Sequence, residues 1–209
     1  NMLESKCKIC RRLGQKLFLK GERCLSQKCA MVKRPYPPGM KSKKRGRGRP
    51  SEYAKQLAGK QKLRRCYGLR ERQFKKYVEF ALANRRTDQV LFLLRRLEKR
   101  MDNIVFRLGF AASRQQARQL ISHGHFLLNN KRANIPSIEA KKNDQINIKA
   151  SALNKGVFKN LPGLIKKQQT PSWLELDKEK LQGIIKSEPT IEEAAAPTEI
   201  SDILEFYSR

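Results

Sequence analysis

Four cysteines near the start of the chain are spaced as ligands of one metal centre. They follow the pattern Cys7-x2-Cys10-x13-Cys24-x4-Cys29. A two-residue gap lets both thiolates of one turn reach the same ion, and four thiolates complete a closed tetrahedral shell with no open position for water. The site would therefore be structural rather than catalytic. Zinc is the first expectation, and an iron–sulfur cluster, which four cysteines also hold, is the alternative.

The surroundings of these cysteines favour ligation over simple burial. Neighbouring cations lower the pKa of a thiol and so favour the thiolate, and the nearby cations are Lys6, Lys8, Arg11, Arg12 and Arg23. Residues 1–40 contain few periodic apolar positions, so we expect ligation to supply the folding energy of this knuckle. The competing interpretation is four ordinary buried cysteines. The fifth cysteine, Cys66, stands apart and is expected to pack as a small hydrophobe.

The charge of the chain predicts an anionic partner. Lys and Arg number 47 against 19 Asp and Glu, a formal net charge of +28 in 209 residues. Eight acidic and four basic residues in 177–209 give that stretch a net −4, so residues 1–176 carry +32. Such an excess repels itself unless an anion lies against it, and nucleic acid is the best match because each neutralised phosphate releases a counterion.

The apolar content argues against a membrane. No apolar run approaches the roughly 18 residues that a spanning helix needs, and no charged-then-apolar signal is seen at the start. We therefore expect a cytoplasmic protein of one or two domains. Its 39% hydrophobic and 32% charged residues predict small cores and broad polar faces.

A basic stretch and three helices follow the cysteines. Six cations and two glycines in residues 41–50 predict an extended segment that its partner orders. A helix should begin after Ser51 as N-cap and end at Gly68. A second helix carries an apolar stripe from Phe74 to Leu82, and a third runs from about Asp88 to Leu108. The candidate RNA-binding cations here are Lys43, Lys44, Arg45, Arg47, Arg49, Lys60, Lys62, Arg64, Arg65 and Arg72.

The next segment changes from helix to strands. Ser113 and Gln116 match a capping box that opens a short helix to His123, on which Arg114 and Arg118 share the outward face and can reach phosphates. Alternatively, such arginines only solubilise a helix. Residues 129–130 are Asn-Asn and predict a tight hairpin turn, residues 142–144 predict a second turn, and Ile146 and Ile148 alternate in a final strand.

The stretch Arg100-Met-Asp-Asn-Ile-Val-Phe-Arg-Leu-Gly-Phe-Ala-Ala-Ser-Arg-Gln-Gln-Ala-Arg-Gln-Leu-Ile-Ser-His-Gly-His125 resembles the small RNA-binding module first described in ribosomal small-subunit protein four. That module lays a helix pair, packed on an antiparallel sheet, against structured RNA. The resemblance implies RNA contacts for Arg107, Ser113, Arg114, Gln116, Arg118, Gln119, His123 and His125. For the two histidines a turn or core role is the alternative.

The resemblance extends along nearly the whole chain. Segments such as Arg34-Pro-Tyr-Pro-Pro-Gly39, Tyr67-Gly68 and the terminal Glu205-Phe-Tyr-Ser-Arg209 are similar to the bacterial ribosomal small-subunit protein four family in its cysteine-bearing zinc form. The implied fold is α+β: a four-cysteine metal knuckle, a helical domain and an inserted module of helices on a small antiparallel sheet. The predicted divisions are 1–40, 41–97 with the tail 199–209 packed back on it, 98–185 with its core at about 98–150, and an acidic linker-like segment 186–198.

The resemblance also implies the function. Members are structural constituents of the small (30S) subunit that bind the 5′ domain of 16S rRNA early in ribosome assembly. They lie at the channel through which mRNA enters, beside small-subunit proteins three and five, and contribute to translational accuracy. No membrane and no small-molecule substrate is implied.

Two other classes of protein remain to be weighed. An RNA-modifying enzyme that uses the same module, such as a pseudouridine synthase, needs a catalytic domain that no stretch supplies. Asp102, which follows Arg100-Met, is expected to pair with Lys99 or Arg107 rather than to act in catalysis. A free stress factor would leave the knuckle and the helical domain without a role. We therefore predict a ribosomal structural protein and not an enzyme.

Overall fold

A computed structural model describes residues 5–39, 49–84, 87–158, 161–166 and 169–208 of the chain. Within them the helices are α1 (Lys6–Leu13), α2 (Glu22–Leu25), α3 (Ala30–Lys33), α4 (Glu52–Cys66), α5 (Glu71–Ala83), α6 (Gln89–Glu98), α7 (Met101–Arg107), α8 (Arg114–Ser122), α9 (Ala150–Leu153), α10 (Leu161–Lys166), α11 (Ile191–Ala194) and α12 (Ser201–Ser208). The strands are β1 (Phe126–Leu128), β2 (Lys131–Ala133), β3 (Gln145–Ile148), β4 (Leu174–Asp177) and β5 (Gln182–Ile185).

The chain divides into two compact units. Unit 1 comprises Asn1–Val90 and Ala196–Arg209, and unit 2 comprises Leu91–Ala195. Between α1 and α12, no helix of the described residues is both long enough and apolar enough to cross a membrane.

Unit 1 is helical, and the C-terminal end of the chain packs onto its helices. Ser51 caps α4 by accepting a hydrogen bond from the Ala54 N–H at 3.3 Å, as the sequence predicts. The apolar stripe of α5 is buried from Phe74 to Ala81. Helix α12 packs on both α4 and α5 and buries Ile203 in the process.

The N-terminal segment of unit 1 has a small apolar cluster of its own. Ile9, Cys10 and Leu17 are buried together, with Leu13, Leu19 and Met31 packed against them. The few apolar positions of residues 1–40 therefore do form a small core. The cluster is small, however, so we still expect ligation to supply much of its stability.

Unit 2 carries helices on one antiparallel sheet with the strand order β2-β1-β3-β5-β4. Helices α7 and α8 pack together, and their apolar faces share one core with the sheet around fully buried Trp173, Phe126 and Ile121. The predicted hairpin turn is present, because Asn129 and Asn130 both have positive φ. The prediction of helices plus a small antiparallel sheet is confirmed.

The predicted single helix from Asp88 to Leu108 is wrong, since the structure breaks it between α6 and α7. Arg100 takes an extended conformation (φ −65°, ψ 136°) and forms a bridge with Glu139. The Met101 N–H donates to the Ile138 carbonyl at 2.8 Å. The apolar residues keep the helical spacing across the break, so the sequence gives no sign of it. Only the pairing of Arg100 and Met101 with residues 138–139, almost 40 positions further along the chain, shows where the helix ends.

The sheet is larger than predicted, because β3 is not its last strand. Strand β5 pairs with β3, and β4 pairs with β5. Gly183 lies inside β5, where an added Cβ would collide with the Leu108 side chain. The close approach of that leucine requires glycine, and glycine weakens the strand pattern in the sequence.

The acidic segment 186–198 is not a plain linker. Thr190 and Glu193 form a capping box at the start of α11, and Pro189 and Ala194 are buried. Glu188 pairs with Arg95 at 2.6 Å and with Lys99. Its Pro, Glu and Ala content suggested a linker, whereas these contacts order it on unit 2.

Candidate nucleic-acid interface and cysteine cluster

A buried carboxylate organises the start of α7. Asp102 accepts hydrogen bonds from Arg100 Nη2 at 2.7 Å and from Arg118 Nη2 at 2.8 Å. The side chains of Asp102 and Arg100 are only 3% and 1% exposed, whereas that of Arg118 is 23% exposed. The predicted pairing of Asp102 with Lys99 or Arg107 is wrong. The bend at Arg100 brings this guanidinium back onto the carboxylate, and Arg118 reaches it from the neighbouring helix.

A second buried carboxylate holds Arg107. Glu98, which is fully buried, accepts hydrogen bonds from Arg107 Nε and Nη2, both at 3.1 Å. Arg107 Nη2 also donates to the Ala194 carbonyl at 2.8 Å. The Asn103 amide donates to Glu98 Oε2 at 2.9 Å, so α7 and the end of α6 share one polar network.

Arg114, the third arginine of this helix pair, contacts the side-chain amide of Asn103 and the ring of Phe106. Arg114 Nε donates to Asn103 Oδ1 at 2.8 Å, and its guanidinium lies 4.7 Å from the centroid of the Phe106 ring. Ser113 caps α8 by accepting from the Gln116 N–H at 3.3 Å, as predicted. Gln116 itself accepts from the Ala112 N–H at 2.9 Å.

Together these contacts build an arginine face on the helix pair, defined here as Arg107, Arg114 and Arg118. Each guanidinium is partly exposed and is fixed by a buried group. The arginine face and buried Arg100 carry four positive charges, whereas among the described residues two carboxylates, Asp102 and Glu98, pair with them. The cluster therefore keeps an excess of positive charge. Side chains already held in place lose less entropy when they bind an anion such as phosphate.

The two histidines lie at the end of α8. Their rings meet edge to face at 5.8 Å, and the His125 ring packs edge to face on Phe158 at 6.1 Å. Burial, together with the charges of Lys155, His123 and Lys149, lowers the pKa of His125 below its usual value. These contacts give the pair a place in the turn between α8 and β1, and its contact with RNA stays a prediction.

The cations of unit 1 are partly turned inward. Lys60 is buried, and its Nζ donates to Glu71 Oε1 at 2.7 Å and lies 4.7 Å from the Phe206 ring centroid. Arg64 Nε lies 3.2 Å from Glu71 Oε2, and the Tyr207 hydroxyl donates to Glu71 Oε1 at 2.8 Å. In this structure Lys60 and Arg64 tie α4 to α5 and α12, so an RNA-binding role for them stays only a prediction.

The other predicted RNA-binding residues differ in exposure. Arg49, Arg72 and Gln119 are exposed, and Lys62 and Arg65 are half-buried. Lys43, Lys44, Arg45 and Arg47 lie outside the described residues. Sequence reasoning did not single out Arg132, Lys149 and Lys155, which the fold brings to the two histidines. They are spread along the chain, and none belongs to a long run of cations that would indicate it.

The four predicted metal ligands line one cavity. Cys7, Cys10, Cys24 and Cys29 share it with apolar Leu19, Ala30 and Met31. Burial raises the pKa of the Cys10 thiol, and the charges of Cys24, Cys7 and Cys29 raise it further. Cys24 Sγ accepts a hydrogen bond from the Lys20 N–H at 3.4 Å.

Four thiols are the donor type that a thiolate-binding metal takes, and they line one cavity. Across the described parts of the chain, however, no group of three or more His, Cys, Asp or Glu residues is arranged as a metal site. The knuckle therefore stays a prediction. Cys66 ends α4 as a half-buried residue.

A helix pair with an anchored arginine face, packed on a small antiparallel sheet, defines a small α+β module with a basic helix surface. Residues 1–98 match the family described as Ribosomal protein S4/S9 N-terminal domain, and residues 99–146 match the S4 domain. The chain belongs to the family of small ribosomal subunit protein uS4, as the resemblance predicts.

Several relatives match almost end to end, and each is named as a ribosomal protein. Small ribosomal subunit protein uS4 of Syntrophobacter fumaroxidans is 45% identical over 206 residues, 99% of this chain and 98% of the relative. The uS4 of Thermus thermophilus is 46% identical over 203 residues, 97% and 96% of the two chains. The uS4A of Bdellovibrio bacteriovorus is 46% identical over 207 residues, 99% and 98%. The prediction of a ribosomal structural protein rather than an enzyme is confirmed.

Proposed function

We propose that this chain is a structural constituent of the small ribosomal subunit in the cytoplasm, where it binds the 5′ domain of 16S rRNA as a primary assembly protein. The observation that carries the proposal is the arginine face, with Arg114 and Arg118 fixed on α8 by Asn103 and Asp102. Family membership supports the ribosomal setting. The net charge of +28 supports an anionic partner.

The binding is expected to be dominated by phosphate contacts rather than base reading. Guanidinium groups held in a fixed plane donate to phosphate oxygens in pairs. The Phe126 and Trp173 rings of unit 2 are fully buried and cannot stack on bases. Shape and charge would then select the RNA.

A binding assay tests this proposal. The full chain should bind a transcript of the 16S rRNA 5′ domain more tightly than a transcript of equal length from another rRNA domain. Arg114→Gln should weaken binding roughly tenfold to a hundredfold, because an anchored charged contact is worth roughly 1.5–3 kcal/mol. Lys142→Gln is the control, since Lys142 is exposed on a turn of the same unit. Equal affinity for both transcripts would refute the 5′-domain assignment.

We further propose that residues 41–49 contribute to the channel through which mRNA enters, beside small-subunit proteins three and five, and so to translational accuracy. The support is compositional, because Lys43, Lys44, Arg45, Arg47 and Arg49 are interspersed with glycines ahead of the capped start of α4. Such a segment follows a phosphate backbone but packs no core.

Replacing Arg45, Arg47 and Arg49 with Ala tests the channel role. Subunits should still assemble, and translation should slow selectively on messages with a hairpin downstream of the start site. Failed assembly, or equal slowing on structured and unstructured messages, would make the segment an rRNA anchor instead.

We also propose that Cys7, Cys10, Cys24 and Cys29 hold one zinc ion, with an iron–sulfur cluster as the alternative. Four thiols converging on one cavity support it. A metal would supply folding energy to a segment with a small apolar core. Protein purified anaerobically without chelators should contain one equivalent of zinc, or show visible iron–sulfur absorption. Cys24→Ser should lose the metal while Cys66→Ser retains it, and metal-free protein would end the proposal.

A further inference from the structure

Five side chains converge where α8 ends and β1 begins. His123 and His125 flank Gly124, and the Lys149 N–H donates to the His125 carbonyl at 2.9 Å. Lys149 and Lys155 are close enough to act on the charge of His125. From β2, the Arg132 guanidinium lies over Gly124, where an added Cβ would collide with it. We call His123, His125, Arg132, Lys149 and Lys155 the turn patch.

The turn patch has positive charge without a matching carboxylate. Among the described residues, no salt bridge joins Arg132, Lys149 or Lys155 to an acidic group, and all three are exposed. The C-terminal end of α8 offers only about half a negative charge. Three full cations therefore exceed what the helix end can balance, and a solvated anion is the natural complement.

The geometry is also held in place. The His125 ring packs on His123 and Phe158, and Phe158 is buried. Gly124 has φ +70°, and its glycine identity leaves room for Arg132. The patch therefore combines two fixed rings, a guanidinium seated on a turn and two flexible ammonium groups.

We infer that the turn patch is a second RNA-binding site of this module, in which Arg132, Lys149 and Lys155 hold phosphate groups of the rRNA around the His123–His125 pair. This inference rests on the proposed rRNA-binding function and adds three residues to it. A bound phosphate would favour protonated histidine. The His125 pKa, lowered in the free protein, should rise in the complex.

The test compares two double variants of the full chain on the rRNA transcript that it binds best. Lys149→Gln with Lys155→Gln should make the log–log salt slope shallower by about two and weaken binding on the order of tenfold, because each lost phosphate contact removes about one from the slope. Lys141→Gln with Lys142→Gln removes the same charge from the turn before β3 and should change neither quantity. Circular dichroism and thermal melting establish that both variants fold.

A nuclear magnetic resonance titration of the histidine rings gives an independent measurement. His125 should titrate at higher pH in the rRNA complex than in the free chain, and the Lys149/Lys155 double variant should show a smaller rise. Equal salt slopes of rRNA binding for the two double variants would overturn the inference. The partner of the turn patch would then be an acidic protein rather than rRNA. Which transcript binds best decides the proposed function, whereas the slope difference decides the patch, so the two failures are distinguishable.

Discussion

Single residues decide how this protein presents its arginines. Asp102 and Glu98 are almost fully buried, and a buried charge is tolerated only with close partners. Each of them has such partners: Arg118 and Arg100 for Asp102, and Arg107 for Glu98. The same pairs that satisfy the carboxylates orient guanidinium groups at the surface, so stability and presentation of the arginine face are coupled.

Asp102→Asn should be strongly destabilising. It removes the carboxylate that pairs with Arg100, whose side chain is 1% exposed, and breaking a buried pair in this way costs roughly 3–5 kcal/mol. Glu175→Gln is the control, because Glu175 and Lys186 form an exposed pair at 3.2 Å worth less than about 1 kcal/mol. Urea unfolding measures both. Similar small losses for the two variants would show that Arg100 does not depend on Asp102.

Glu71 predicts a dependence of stability on pH. Burial raises its pKa, but hydrogen bonds from Lys60 and Tyr207 outweigh burial and lower the pKa below its usual value. Because the folded-state pKa is the lower one, the contribution is complete above the unfolded value of about 4.5 and is lost as pH falls through the folded value.

Unfolding free energies measured between pH 3 and pH 7 should therefore fall less steeply on acidification in Glu71→Gln than in the unchanged chain. Glu52→Gln is a matched control, because Glu52 is an exposed carboxyl on α4 that pairs with Lys55. If all three proteins lose stability in parallel, the Lys60–Glu71–Tyr207 contacts do not set the acid limit.

At the scale of elements, the parts predicted from the sequence are those fixed locally. The caps at Ser51 and Ser113 and the turn at residues 129–130 depend on neighbours within four residues. The break at Arg100 depends instead on pairing with residues 136–139. Strands β4 and β5 have only four residues each, and Gly183 interrupts the apolar alternation of β5. The pairing of β5 with β3, and of β4 with β5, therefore required the structure.

Ser113→Ala should destabilise unit 2 by about 1 kcal/mol. The serine hydroxyl accepts the Gln116 N–H at the start of α8, and its loss leaves that donor without a partner. Ser122→Ala, an exposed change in the last turn of the same helix, should stay within about 0.5 kcal/mol. Thermal or urea unfolding compares them, and equal effects would show that the cap is not what stabilises α8.

For the whole molecule, net charge predicted the kind of partner but not which cations remain available to it. Lys60 and Arg64 lie on a basic helix in the sequence, yet both pair with Glu71, and Lys60 also lies against Phe206 in α12. Arg132, Lys149 and Lys155 are dispersed in the sequence and converge at one turn. The loss of exposed cations on α4 and the gathering of cations at this turn both depend on contacts between distant parts of the chain. Local sequence patterns do not report such contacts.

The charge of the molecule gives a final prediction, on the salt dependence of rRNA binding. Residues 1–176 carry +32, whereas 177–209 carry −4, so the cations lie almost wholly in the body. If about six to ten of them neutralise phosphates, the slope of log affinity against log salt should be on the order of minus five to minus nine. Filter binding between about 0.05 and 0.3 M KCl measures it.

Arg114→Gln should bring that slope about one unit nearer zero, because it removes one anchored phosphate contact. Lys142→Gln should leave it unchanged. Since counterion release makes binding salt-dependent only in proportion to the phosphates contacted, a nearly flat slope for the unchanged chain would mean that base or protein contacts, rather than the excess of Lys and Arg, hold it on the RNA.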